Sequence, residues 1–360
     1  MKDNPFLALE SLYEDPETQA IRLQMTRWME SALTWVDDAL HRHPPAWPEP
    51  AIRMKALLML DEPLHMLSAP LEPCLNDLLN RRIARAVDEI EAEVVTSGMT
   101  LWKLYNHSFI VKTPELTVGF DLHRGPFESF SVRPELFDRI LDVAQALFIS
   151  HEHSDHADAD VVGRMLALGR PVIVPPALWE DDDDAPRLIR PIRDGQTEYR
   201  LALDNSSVTY RVFPGHQGSE LLNNVYLVSL PNDLHVMHTG DQSNREDFEA
   251  WIDGIHEQVD LDVLLPNCWS TDLRRLIKGT SPHLVITGHE NEMSHPVDHR
   301  EAFSKTYAHI VAEPTPVLVM AWGERYHYEQ DVVLTPATSP DEGRDPALEG
   351  VKGYLRRFVA

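Results

Sequence analysis

One six-residue run constrains this chain more than any other: His151-Glu152-His153-Ser154-Asp155-His156, directly after the apolar stretch ALFIS (146–150). Three imidazoles and a carboxylate at a strand end crowd titratable groups where a backbone has no structural use for them. Divalent metals want that set, neutral imidazole nitrogens and carboxylate oxygens converging from several directions. Side chains of an extended backbone alternate with period two, so His151 and His153 point the same way. Asp155 and His156 can then turn toward a neighbouring position. Such an arrangement suits two adjacent metals better than one.

The chain around this run divides into two patterns. In residues 1–97 apolar side chains recur at helical steps. Over 18–43 these are Ile21, Met25, Trp28, Met29, Leu33 and Val36, and Pro44, Pro45, Pro48 and Pro50 end the helix. Further helices are expected at 51–60 and 74–95, with Gly98 closing the region. From residue 99 short apolar strands take over. LWKLYNHSFIVKT (101–113) and LTVGFDLH (116–123) are expected to form a hairpin around Thr113-Pro114-Glu115. More strands are expected at 146–150, 171–176, 207–213, 223–229, 234–238, 261–265, 283–287 and 316–321. Helices are expected near 134–146, 158–168, 245–254, 271–277 and 297–310. The mixture predicts a layered α/β architecture without simple βαβ alternation. WEDDDDAP (179–186) reads as a solvated acidic loop, and residues 338–360 as a tail lying loosely over the surface.

HEHSDH matches the HxHxDH signature of the metallo-β-lactamase superfamily, and the chain resembles that family over roughly residues 99–335. The leading strands LYNHSFIVKT and LTVGFDL are similar to the family's, as is the placement of Asp121. His216 in FPGHQGS, Asp241 in HVMHTGD and His289 in VITGHENEMSH follow in the family's order. Each of these three alone reads as an ordinary turn, cap or loop residue; joined to the cluster they complete a ligand set. The resemblance implies a first metal on His151, His153 and His216. It implies a second on Asp155, His156 and His289, with Asp241 bridging. Within the superfamily the chain looks most like the group around ascorbate-6-phosphate lactonase and N-acyl-phosphatidylethanolamine phospholipase D. It departs from the common pattern in its N-terminal helices and in Asn106, where many members carry Gly.

Composition narrows the partners. With 58 acidic against 32 basic residues the net charge is −26, which disfavours long nucleic acid. No apolar stretch approaches the ~20 residues that span a bilayer. Two cysteines, Cys74 and Cys268, form no disulfide framework. The opening MKDNPFLALESLYEDPE lacks the apolar core of a secretory signal, so a cytoplasmic protein is expected.

These readings predict an α/β protein, an αββα metallo-β-lactamase sandwich over 98–337 with an N-terminal helical extension (1–97) acting as a cap or a homo-oligomer surface. The expected activity is that of a two-metal hydrolase using a metal-bound hydroxide on a small lactone, ester or phosphodiester, with Asp155 as the catalytic carboxylate. Zinc is the expected metal, with manganese or iron also compatible. Asn106, His107, Trp269, Glu292, His295 and Arg325 are the candidate substrate contacts. The rival readings are a nucleotide phosphodiesterase or nuclease, and a metal-bound sensor or scaffold without turnover.

Overall fold

The structure, a computed structural model, describes residues 16–330. The expected tail at 338–360, the domain's last residues 331–337 and residues 1–15 lie outside the described residues. Eight α-helices and thirteen strands follow one another along the described chain. Three helices come first: α1 (Pro16–Arg42), α2 (Ala51–Leu64) and α3 (Pro73–Ala92). Next are β1 (Met99–Lys103), β2 (Phe109–Lys112), β3 (Thr117–Phe120), α4 (Pro134–Val143), β4 (Ala146–Phe148), α5 (Ala159–Ala167) and β5 (Val172–Ile173). The second half holds β6 (Tyr199–Leu203), β7 (Ser206–Gln217), β8 (Leu221–Ser229), β9 (His235–His238), α6 (Glu246–Ala250), β10 (Val263–Leu265) and α7 (Leu273–Thr280). It ends with β11 (Leu284–Thr287), α8 (Phe303–Ile310), β12 (Val317–Val319) and β13 (Glu324–Tyr328).

The strands make two sheets, ordered β13-β1-β2-β3-β4-β5 and β12-β11-β10-β9-β8-β7-β6. In the first, β13 to β3 pair antiparallel and β3-β4-β5 parallel. In the second, β6 to β9 are antiparallel and β9 to β12 parallel. Alternation along the strands gives each sheet an inner apolar face. Leu101, Phe109, Val111, Val118, Phe120 and Phe148 of the first meet Val212, Tyr226, Val236, Val263, Leu265 and Ile286 of the second. The outer face of the second sheet is covered by α6 and α7 through Phe248, Leu273, Leu276 and Ile277. On the outer face of the first, the N-terminal helices and α4, α5 and α8 share one apolar cluster with Trp102, Tyr105, Ile110 and Trp322. The architecture is an αββα sandwich, with α1 to α3 built into one helical layer.

The structure differs from the expected elements in three places. The expected strand 101–113 is interrupted, because Leu104–Ser108 make a turn in which Asn106 has φ 57° and the Leu104 N–H donates to the Ser108 carbonyl over 2.8 Å. That turn carries Asn106 and His107 to the sheet end. Strands β6 and β13 were not expected; β13 pairs antiparallel with β1, placing Arg325 beside Trp102. The helix expected over 297–310 begins only at Phe303.

Burial separates the two faces of the extension. Leu57 of α2 is fully buried, whereas Trp28 of α1 is 49% exposed. Leu57→Ala is therefore expected to cost about 2–5 kcal/mol in urea unfolding, and Trp28→Ala no more than about 0.5 kcal/mol. Equal losses would contradict the packing. A chain starting at residue 98 uncovers Trp102 and Trp322 and is expected to aggregate; a soluble, folded truncation would show that the extension is dispensable.

Candidate metal centre

The centre is assembled where β4, β7, β9 and β11 end. After β4 the chain turns at His153, whose carbonyl accepts the N–H groups of His156 (2.9 Å) and Ala157 (2.8 Å). The turn buries His151, Asp155 and His156 while Glu152, His153 and Ser154 stay exposed. The rings of His151 and His153 lie 4.8 Å apart, on one side of the chain. Asp158 then caps α5, accepting from the N–H groups of Asp160 (3.0 Å) and Val161 (3.3 Å).

Asp121, at the end of β3 with φ 44°, fixes the orientation of this turn. One carboxylate oxygen accepts the Ser150 N–H (2.7 Å), and the other accepts the Ser150 hydroxyl (2.6 Å) and His156 Nδ1 (2.7 Å). Ser150 Oγ, its proton committed to Asp121, accepts from His151 Nδ1 at 3.0 Å. Both imidazoles are thus anchored through Nδ1 and turn Nε2 inward. Two glycines make room for the approach. A Cβ on Gly240 would stand 2.3 Å from Asn223 Oδ1, and one on Gly288 would stand 2.2 Å from His107 Cδ2.

The inward atoms converge. His156 Nε2 is 3.4 Å from Asp155 Oδ2 and 3.3 Å from Asp241 Oδ1. His289 Nε2 is 3.3 Å from Asp155 Oδ2 and 3.5 Å from Asp241 Oδ2, and His151 Nε2 is 3.5 Å from Asp241 Oδ2. Yet Nε2 of His151, His156 and His289 and Oδ1 of Asp241 are buried with no hydrogen-bond partner among the described residues. Two atoms each ~2.0–2.1 Å from one tetrahedral metal stand ~3.3–3.4 Å apart, so this spacing fits metal ligands better than hydrogen bonds. Two groups with donor atoms mutually within 4.8 Å result: His151, His153 and Asp241, and Asp155, His156 and His289. A third such group, His107, Asp121 and His156, lies beneath the second.

The charges match. Burial alone would lower His156, but Asp241, Asp155 and Asp121 raise it well above an ordinary histidine. His289, likewise opposed by burial, is held up at about 10 by Asp241 and Asp155. His151 is pushed down to about 3 by burial and by His156. Burial would raise Asp155 and Asp241, yet the neighbouring histidines hold both carboxyls well below the usual range. Such a cluster calls for added positive charge.

The remaining candidates are distributed unevenly. His216 stands outside the two groups; its Nδ1 faces Asp247 at 3.0 Å, its N–H donates to the same carboxylate, and its side chain is 27% exposed. Gln217 next to it donates to Asp241 Oδ2 at 3.1 Å. Asn106 donates to Asp155 Oδ2 at 3.1 Å. His107 is fully buried, 4.3 Å from the His238 ring, so both Asn106 and His107 support the centre rather than line an opening. Glu292 is fully buried, its Oε1 accepting the Ser294 N–H at 2.9 Å, and burial and Asp155 push its carboxyl up to about 7. Trp269 meets the His289 ring edge-on at 5.6 Å and His295 stacks on it at 5.5 Å; both are half-buried. Arg325 does not join the centre: it pairs with Glu89 of α3 and Glu93 just after it. Arg124 is engaged by Asp158 and Asp160. Asp247, Gln217 and His238 escaped the sequence reading, since each acquires its partner only through the packing of α6, β7 and β9.

No protein-family model matches the chain, and comparison with curated proteins gives no match. Solved structures do match. A metallo hydrolase from the archaeon Ignicoccus hospitalis superposes with a TM-score of 0.50 at 18% identity, covering 65% of this chain and 99% of that one. A protein described as a possible metal-dependent hydrolase from Veillonella parvula gives 0.50 at 14% identity, covering 64% and 100%. The metallo-β-lactamase fold protein YhfI from Bacillus subtilis gives 0.44 at 12% identity, covering 65% and 100%. Among the described residues no helix is long and apolar enough to cross a membrane. With its paired sheets, its helices on both outer faces and its histidines and aspartates at the strand ends, the chain has the metallo-β-lactamase fold, extended by three N-terminal helices.

Proposed function

We propose that this protein is a dinuclear metal-dependent hydrolase acting on a small polar substrate with a lactone, carboxyl ester or phosphodiester bond. The convergence of three partnerless buried Nε2 atoms on two buried carboxylates supports this reading most directly. His151, His153 and His216 would hold one ion, Asp155, His156 and His289 the other, and Asp241 would lie between them. The Asp247 contact to His216 Nδ1 leaves Nε2 as the coordinating nitrogen, the arrangement in which a carboxylate orients a ligating imidazole. An all-imidazole and carboxylate donor set suits zinc, manganese or iron. Bound ions would supply a nucleophilic water at neutral pH and polarise the attacked oxygen.

The chain's own residues do the rest. Asn106 fixes Asp155 through Oδ2, leaving its other oxygen to orient the attacking water and take its proton. Exposed His153 and half-buried His216, Trp269 and His295 form the approach, and the apolar face of Trp269 can carry an uncharged part of the substrate. The lactone and phosphodiester choices rest on the likeness of LYNHSFIVKT to the lactonase and phospholipase D group. The net charge of −26 favours small substrates over long polyanions.

Purified protein loaded with zinc or manganese is expected to hold about two metals per chain. His289→Ala and His216→Ala should each lose metal, while His299→Ala, 72% exposed, should not. Elemental analysis decides; a value near zero for the loaded parent chain contradicts the reading. Because the surrounding aspartates hold His156 and His289 protonated in the metal-free protein, metal must displace those protons. Zinc titration at pH 7 should release about two protons, and affinity should fall as pH falls. Calorimetry in buffers of differing ionisation enthalpy reads this, and a proton-neutral uptake would overturn it. Asp155→Asn, assayed with excess metal on lactone, ester and phosphodiester substrates, should lose ~10²–10⁴-fold in turnover. Near-parental turnover would remove Asp155 from the catalytic role, and an inert parent chain across the panel would favour a sensor.

A further inference from the structure

The loop after β11 carries His289 and is conformationally costly. His289 and Asn291 both adopt left-handed backbone, with φ 74° and 58°. Such conformations are unfavourable for residues with a side chain and persist where the surroundings over-determine them. Part of that determination comes from the sandwich. Buried Glu290 accepts from Lys103 Nζ (2.5 Å) and Thr287 Oγ1 (2.5 Å), and the Met293 N–H donates to the Tyr105 hydroxyl (2.9 Å).

The other part comes from the N-terminal extension. Asp61 of α2 reaches across to the C-terminal half. Its carboxylate accepts the Phe303 N–H (2.8 Å) and the Ser304 N–H (2.9 Å), the first amides of α8, and Asn291 Nδ2 (3.4 Å). It thereby caps α8, whose own preceding residue Ala302 provides no side-chain cap. Arg300 makes the reciprocal link. Fully buried, it donates to the carbonyls of Leu64 (2.9 Å) and Met66 (3.2 Å) on the extension and of His295 (3.0 Å) and Met293 (3.3 Å) on the loop. Between the two links, His65 places its ring nitrogens 3.0 Å from the Asp61 carbonyl and 3.0 Å from the Arg300 carbonyl. The segment from His289 to Ser304 is thus held at both ends by side chains and carbonyls of α2 and the residues just after it.

We propose that the extension is a brace for the second metal position, with Asp61 and Arg300 as positioning residues that hold the His289–Ser304 segment in its strained course. This rests on the two-metal reading for its consequence, but the brace itself is a property of the chain without metal. Asp61→Asn is the direct test. An amide offers one acceptor where the carboxylate offers two oxygens, so one α8 N–H meets a donor instead. Asp37→Asn is the control: the same chemical change in the same extension, where Asp37 pairs with Arg82 and Arg85 of α3 and makes no contact with the loop.

Hydrogen exchange on the metal-free, full-length variants should show amides of 289–304 exchanging at least ~10-fold faster in Asp61→Asn than in Asp37→Asn. Zinc titration should show one of two sites losing ~10-fold or more in affinity in Asp61→Asn, with the other retained and both retained in Asp37→Asn. Arg300→Lys, which keeps the cation and loses the fork, should reproduce the Asp61→Asn pattern and serves if that variant does not fold. Equal exchange in the 289–304 segment of the two aspartate variants would overturn the brace. So would a uniform loss of both metals in Asp61→Asn. Should the parent chain bind no second metal, the hydrolase reading fails while the exchange comparison still decides the brace by itself.

Discussion

The Asp121 carboxylate is the contact on which the centre depends. Buried at the end of β3, it accepts from Ser150 twice and from His156 once, joining β3 to the turn after β4. Its charge would be costly to bury alone, and three donors offset that cost. Burial raises its carboxyl, but His156 and His238 and these hydrogen bonds bring it below the ordinary range. Without it, neither His156 nor His151 has a reason to present Nε2 inward, and two of the converging nitrogens lose their direction.

Backbone strain collects at the same place. Of the eight non-glycine residues with positive φ among the described residues, four (Asn106, Asp121, His289 and Asn291) lie in or against the centre. Each is held by contacts from elsewhere in the chain: Asn106 by Asp155, Asp121 by Ser150 and His156, His289 through the Asn106 carbonyl, Asn291 by Asp61 and the Glu301 carbonyl. The apolar packing of the sandwich fixes where the strand ends lie. The polar bonds then choose one conformation for loops that would otherwise relax. The N-terminal helices enter both terms, through the cluster around Trp102 and Trp322 and through Asp61.

Much of this was legible in the sequence, for specific reasons. The HEHSDH run is dense and local, so its chemistry needs no fold to be read. The helices of the extension and the strands of the inner core carry plain periodicity. What stayed hidden depended on tertiary placement. Arg325 was read as a substrate contact; it lies on the edge strand β13, where it pairs with Glu93 and Glu89 instead. Asn106 and His107 were read as substrate contacts, yet the turn that breaks 101–113 buries both. His216 was read as a direct ligand, and its tie to Asp247 arises only where β7 meets α6.

Under the proposed two-metal reading, Asp241 would lie between one ion on the His151 side of the centre and another on the His156 side. Anomalous diffraction at the zinc or manganese edge from metal-loaded crystals tests it most directly. Two peaks about 3.5–4 Å apart are expected, one beside His151, His153 and His216 and one beside Asp155, His156 and His289. A single peak at full loading, or peaks away from these side chains, would contradict it.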